Sequence, residues 1–119
     1  MSPLVWIGVA GLGGVGAALR VALSGGLDRV GPAHLPSGTF VVNSVGSLLA
    51  GLAFGLMDPG DARTLVLVGL LGSLTTFSTW AVQTHNLATA GRRLAAVANV
   101  AAGAGIGLAA AEVGRLLAG

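Results

Sequence analysis

Four hydroxyls stand within five residues in Thr75-Thr76-Phe77-Ser78-Thr79, followed by Trp80, in the middle of an uncharged run over residues 64–83. Small residues, Gly69, Gly72 and Ser73, lead into them. Hydroxyls compete for backbone groups and suit turns and caps better than helix interiors, so one unbroken apolar helix is poorly served here. The stretch reads as a broken transmembrane helix. Irregular backbone survives at membrane depth only where it is buried in protein or lines a watery cavity, since the freed N–H and C=O groups need partners. Such a break implies an ion or substrate path. The alternative is a continuous helix whose hydroxyls bond back to carbonyls one turn earlier and serve packing alone.

A second polar set lies on the preceding segment. Thr39, Asn43 and Ser47 recur every four residues and therefore share one face of a helix. An amide at depth is expensive unless bonded, and it faces either a cavity or a neighbouring helix. Asn43 is accordingly a pore-lining candidate, with an interhelical hydrogen bond as the other reading. Gln83 extends the polarity of the broken segment toward one surface, on a polar track or simply near the interface.

The elements that must position these groups follow from composition. The chain has 119 residues, 54% hydrophobic and 8% charged, with mean hydropathy +0.88. At ~20 residues per crossing the expected fold is an all-α membrane protein of one domain with four transmembrane helices, at about residues 3–23, 38–57, 64–84 and 94–116, the third broken. The N-terminal apolar run lacks a basic leader and a small-residue cleavage site, so a retained span is expected. Residues 24–37, with Gly25-Gly26, Pro32 and Pro36, read as the longest polar connection, with room for a short interfacial helix and His34 as a solvated loop residue. Asp58-Pro59-Gly60-Asp61 reads as a tight turn. Glycines in the first and fourth spans favour close helix packing in lipid.

Several function classes are excluded. With no cysteine there is no disulfide or thiolate metal site. The six basic residues are all Arg, net charge is +2, and no cluster exceeds Arg92-Arg93, so the pI near 11.3 does not indicate nucleic acid. Gly11-Leu12-Gly13-Gly14-Val15-Gly16 matches the dinucleotide fingerprint, but it lacks the strand, the crossover helix and an acidic residue about 20 positions on. No nucleophile and base stand at catalytic spacing, so no enzyme is expected.

Arg20 closes the first span, either as a cation snorkelling to the interface or as an anion attractor at a vestibule. With four spans, Arg63 and Arg115 share one side with the N-terminus, while Arg20, Arg29, Arg92 and Arg93 share the other. Orientation is set by asymmetry of basic residues in short loops, so this weak bias permits insertion both ways. An antiparallel dimer is expected to result.

These motifs resemble those of a known family, the small dual-topology fluoride channels of bacteria called the Fluc or CrcB family. Gly13-Gly14-Val15-Gly16-Ala17-Ala18-Leu19-Arg20 resembles the family's first-helix pattern. Gly38-Thr39-Phe40-Val41-Val42-Asn43-Ser44-Val45-Gly46 resembles its second-helix signature, and residues 69–80 resemble its third-helix core. The resemblance implies a fluoride-selective channel exporting fluoride passively across the bacterial plasma membrane, with two antiparallel subunits enclosing two pores. It assigns Asn43, Phe77, Trp80, Ser78, Thr79 and Gln83 to the pore, and the backbone carbonyls of Gly72 and Thr75 to a structural Na+ at the dimer centre. Neutral donors suit fluoride, whose water must be replaced without trapping the ion.

Trp80 stands where the family has Phe, Gln83 where it often has an acid, and Asn99, Gly103 and Gly107 where its fourth helix carries hydroxyls. These departures open the alternative of a heterodimer with a homologous subunit. Outside the family, a small proton-coupled exporter would need a deep carboxylate, which the chain lacks. A non-conducting assembly subunit is the third reading.

Overall fold

In the computed structural model, residues 2–30 and 37–119 are described, apart from the side chains of Val30, Ser37 and Ser78. The architecture is helical throughout: α1 (Pro3–Val30), α2 (Ser37–Leu56), α3 (residues 61–74), α4 (Phe77–Thr89) and α5 (Arg93–Leu117). Four stretches are long and apolar enough to cross a membrane, Pro3–Arg29, Gly38–Leu56, Asp61–Thr89 and Arg93–Leu117. The third is the one formed jointly by α3 and α4. The chain is thus a multi-pass membrane protein with its third span broken.

The helix ends show how the sequence sets these limits. Ser2 starts α1, its hydroxyl accepting from the Val5 amide at 3.3 Å and its carbonyl from the Trp6 amide at 3.1 Å, with Pro3 in the first turn. At the far end α1 runs on through Gly25-Gly26 to Val30, beyond the limit expected from composition. The added turns carry Asp28 to α2, where its carboxylate accepts from the Gly38 amide at 2.7 Å. A carboxylate on the first amides of a helix satisfies orphan donors and complements the helix dipole. The remainder of that connection, including His34, Pro32 and Pro36, lies outside the described residues.

After α4 the chain closes a Schellman motif: the Gly91 amide donates to the Ala88 carbonyl (3.2 Å) and the Arg92 amide to the Leu87 carbonyl (2.9 Å). Gly91 takes φ 79°, which only glycine adopts without strain. Between α2 and α3, Arg63 lies over the Phe54 ring at 4.0 Å and holds the tight turn from the side.

Packing runs through glycine. α2 and α5 form the most extensive helix pair; a Cβ on Gly51 would lie 2.0 Å from the Ala111 carbonyl oxygen, and one on Gly114 would lie 2.2 Å from that of Leu48. α1 meets α3 equally closely, because a Cβ on Gly16 would lie 2.1 Å from Ser73 Oγ and one on Gly69 would lie 3.3 Å from the Val9 Cα. Backbones at these separations gain dispersion over long contacts, which is what associates helices in lipid. Of the fingerprint glycines, Gly11 and Gly14 meet nothing within 4 Å. They lie mid-helix, and no strand occurs among the described residues, so the dinucleotide motif has none of its required setting.

The buried core is small and centred on Val42, Leu71 and Leu74. Large apolar side chains such as Leu4, Ile7, Leu94 and Leu108 are exposed, which fits helices surrounded by lipid or by a partner. Replacing Gly51 by Val should cost at least about 3 kcal/mol, the upper range for overpacking, since backbone lies on the receiving side. The check is the thermal unfolding midpoint in detergent; an unchanged midpoint would contradict the close α2 and α5 contact.

Candidate functional site

The site is the gap between α3 and α4. Approaching it, residues Leu65–Leu71 form a π-helix, followed by one α turn at Gly72–Leu74. π segments are rare and collect at functional sites. Thr75 (φ −81°, ψ 151°) and Thr76 (φ −143°, ψ 123°) are then extended, and α4 starts at Phe77. The back-bonding expected of a continuous helix is also present. Ser73 Oγ donates to the Gly69 carbonyl at 2.8 Å and Thr75 Oγ1 to that of Leu71 at 3.0 Å. These bonds fasten the end of α3 but do not prevent the break.

Thr76 is spanned by Asn43. The Thr76 amide donates to Asn43 Oδ1 at 2.8 Å, and Asn43 Nδ2 donates to the Thr76 carbonyl at 3.0 Å. One side-chain amide thus pairs with both polar groups of one peptide residue, as a neighbouring strand would. The Thr76 hydroxyl caps α4, accepting from the Thr79 amide at 3.2 Å, and it also contacts Thr79 Oγ1 at 3.3 Å. Gly46, on the same helix as Asn43, clears space for the Thr75 methyl, which would lie 2.4 Å from a Cβ there.

The break diverts donors from particular carbonyls. In an unbroken helix the Thr76 amide would serve the Gly72 carbonyl and the Thr79 amide that of Thr75. Here both go elsewhere. The two carbonyls assigned by resemblance to Na+ have therefore lost their helical partners, and oxygen ligands of this kind suit a hard cation. No group of three His, Cys, Asp or Glu that could hold a metal occurs among the described residues, so a cation here would rely on backbone and hydroxyl oxygens.

An open groove of about 480 Å³ runs beside the break, lined by Asn43, Ser47, Thr75, Thr76, Phe77 and Trp80 with Gly103, Gly107 and Ala111 of α5. Phe77 is 74% exposed as a residue, and its ring meets Trp80 edge to face, at 5.5 Å and 74°. Among the described residues, no charged side chain lines the groove. It brings together Asn43, Ser47, Phe77 and Trp80.

Other expected residues lie apart from this groove. Thr79 faces the cap. Gln83 donates to the buried Thr39 hydroxyl at 3.1 Å, and its own carbonyl oxygen is buried without a partner among the described residues. Arg20 is half-buried on α1. The Ser78 side chain lies outside the described part of the structure. The Trp80 N–H is bonded to the Asn99 carbonyl at 3.0 Å.

What sequence reasoning missed was the division of labour between adjacent threonines: Thr75 bonds backward and Thr76 forward. The T-x-x-T spacing of Thr76 and Thr79 was the available signal for a cap.

A broken membrane helix, braced by an amide and flanked by an open, largely apolar groove with Asn43, Ser47 and Thr75 in its lining, defines a channel-like membrane protein. The family described as CrcB-like protein, Camphor Resistance (CrcB), matches residues 7–115, and the chain belongs to that family. It is 39% identical over 114 residues to the fluoride-specific ion channel FluC 2 of Mycobacterium tuberculosis strain H37Rv, covering 96% of this chain and 90% of that protein. In Symbiobacterium thermophilum it matches two proteins: FluC 2 at 43% over 116 residues (93% and 94% of the two chains) and FluC 1 at 37% over 118 residues (94% and 95%).

Replacing Asn43 by Ala should lower stability by about 2–4 kcal/mol, because it strands a donor and an acceptor of Thr76 together. Thr76→Ala should cost only about 1 kcal/mol for the lost cap. Thermal melts of the purified variants check the order; equal losses would mean that Asn43 does not brace the break.

Proposed function

We propose that this chain is a subunit of a fluoride channel that lets fluoride leave the bacterial cytoplasm passively through the plasma membrane. The observation that carries this is the groove at the break, where an amide, hydroxyls and an exposed Phe77 ring converge without a charged group. Fluoride gives up its water only for other donors, and a fixed Arg or Lys would hold it too firmly to conduct. The positive rim of the Phe77 ring contributes attraction without a full charge. Asn43 supplies an N–H beyond the one given to Thr76, since an amide nitrogen carries two. Ser78, Thr79, Trp80 and Gln83 belong to the same proposed path by resemblance, with Gln83 and the Thr39 hydroxyl toward its end and Arg20 as the vestibule cation.

The groove is open along one side, so a second wall has to come from another subunit. An antiparallel homodimer would supply it, in line with the weak bias of the arginines. The pair of relatives named FluC 1 and FluC 2 in one organism supports a second reading, in which this chain pairs with a homologous subunit. A proton-coupled exporter is disfavoured: Asp28 is spent on the Gly38 amide, Glu112 on Arg115, and neither lines the groove.

The carbonyls of Gly72 and Thr75 would hold a structural Na+ where two breaks meet, fixing their geometry at the dimer centre. If so, replacing Na+ by a large organic cation should lower the melting temperature of the assembled protein by several degrees, as loss of a ligand specific for the folded state requires. Identical melts in both salts would remove sodium from the account.

Liposomes holding the purified chain should lose fluoride rapidly while retaining chloride, without a proton gradient. Phe77→Ile should reduce this flux about tenfold, the upper scale of one lost aromatic interaction, with dimer assembly intact. Full fluoride flux in that variant would end the aromatic role, and chloride loss matching fluoride loss would end the selectivity claim.

A further inference from the structure

The Trp80 side chain is locked to α5 by two independent features. Its Nε1–H donates to the Asn99 carbonyl (3.0 Å); the Asn99 amide donates to Thr84 Oγ1 (2.8 Å); and the Thr84 hydroxyl donates to the Trp80 carbonyl (2.9 Å). These three bonds form a closed circuit between α4 and α5. One turn beyond Asn99, Gly103 provides the surface on which the ring lies. A Cβ there would stand 2.6 Å from Nε1, 2.8 Å from Cε2 and 3.0 Å from Cζ2. Those are ring atoms anchored by a hydrogen bond, so they cannot swing aside as the tip of a flexible chain would.

Phe77 has no comparable anchor. The residue is 74% exposed, and its ring meets the Trp80 ring edge to face. Together the two rings form a ridge between the groove that contains Asn43 and a second hollow of about 300 Å³ lined by Ala81, Thr84 and Val100. The edge-to-face contact with Trp80 is the ring contact that Phe77 makes among the described residues.

We propose that Trp80 is the positioning residue for Phe77, and that Gly103 is its matched seat: the Trp80, Asn99, Thr84 and Gly103 set acts as one unit that fixes the aromatic edge offered to the passing anion. This rests on the fluoride reading above. It assigns a joint purpose to Trp80, Asn99 and Gly103. On this proposal the indole N–H serves α5 rather than the ion, and the missing side chain at position 103 is the space that the indole requires.

The test is a double-mutant cycle on the full chain in liposomes, with Gly103→Ala, Trp80→Phe and the pair. Gly103→Ala should cut fluoride efflux about tenfold by tilting the indole, as overpacking by one methyl against a fixed neighbour does. Trp80→Phe should cut it less, because the smaller ring without an N–H is free to settle. Adding Trp80→Phe to Gly103→Ala should restore flux to the level of Trp80→Phe alone, since the clash has gone. Normal flux in Gly103→Ala, or a pair whose losses multiply, overturns the proposal.

A second readout separates this from failure of the fluoride reading. In a Trp6→Phe background Trp80 is the sole tryptophan, and its fluorescence emission should shift on adding Gly103→Ala. An unshifted emission overturns the seat whatever the flux. A parent chain that passes no fluoride overturns the fluoride reading, and the positioning role falls with it even if the emission shifts.

Discussion

The polar groups of Thr76 must find partners where there is little or no water. An unpaired N–H or C=O in apolar surroundings costs on the order of 1–3 kcal/mol in proteins and more in hydrocarbon. Asn43 meets both needs with one amide, and much of the remaining structure follows. The amide reaches Thr76 only if α2 sits against the end of α3 at one register. That register places Gly46 opposite Thr75, and the contact of α1 with the same turn places Gly16 opposite Ser73. Gly16 and Gly46 are thus tied to the break, because each admits a hydroxyl-bearing residue that terminates α3.

Much of this was legible in the chain because polar residues in an apolar span are costly and so must have a use. Four crossings follow from length and apolarity, while the break and the need for Asn43 to face a cavity or a neighbouring helix derive from that rule. The extension of α1 was not legible. Gly25, Gly26 and Asp28 have the composition of a turn in water, and only the three-dimensional contact with the Gly38 amide shows why helix continues there. Nor could composition separate Thr75 from Thr76. Both are β-branched hydroxyls, and which one faces back and which caps forward depends on where Asn43 holds the peptide between them.

Trp80 illustrates a different difficulty. Counting donors along a sequence treats each N–H as available, yet the fold consumes several of them. The indole goes to Asn99, the Asn99 amide to Thr84, the Gln83 amide to Thr39, and one Asn43 hydrogen to Thr76. The groove that remains is poorer in donors than the residue list implies, and richer in aromatic edge. For an anion that must later be released this is favourable, since many strong donors at one point would make a trap.

On the fluoride reading, the same accounting bears on why a single chain would be insufficient. The groove's deep wall carries Asn43, Ser47 and Thr75, while its outer side is open and flanked by an exposed Phe77. A strongly hydrated anion cannot cross hydrocarbon with donors on one flank only, because the uncovered hemisphere would face lipid. On the fluoride reading the opposing wall must bring further edges or hydroxyls to the same depth. A second copy in antiparallel orientation satisfies this requirement with few additional constraints, because the break lies near the middle of its span and inversion leaves it at nearly the same height. A related but different chain satisfies it equally well, and is free to supply the hydroxyl that Gly103 forgoes to accommodate Trp80 and the one that position 107 lacks.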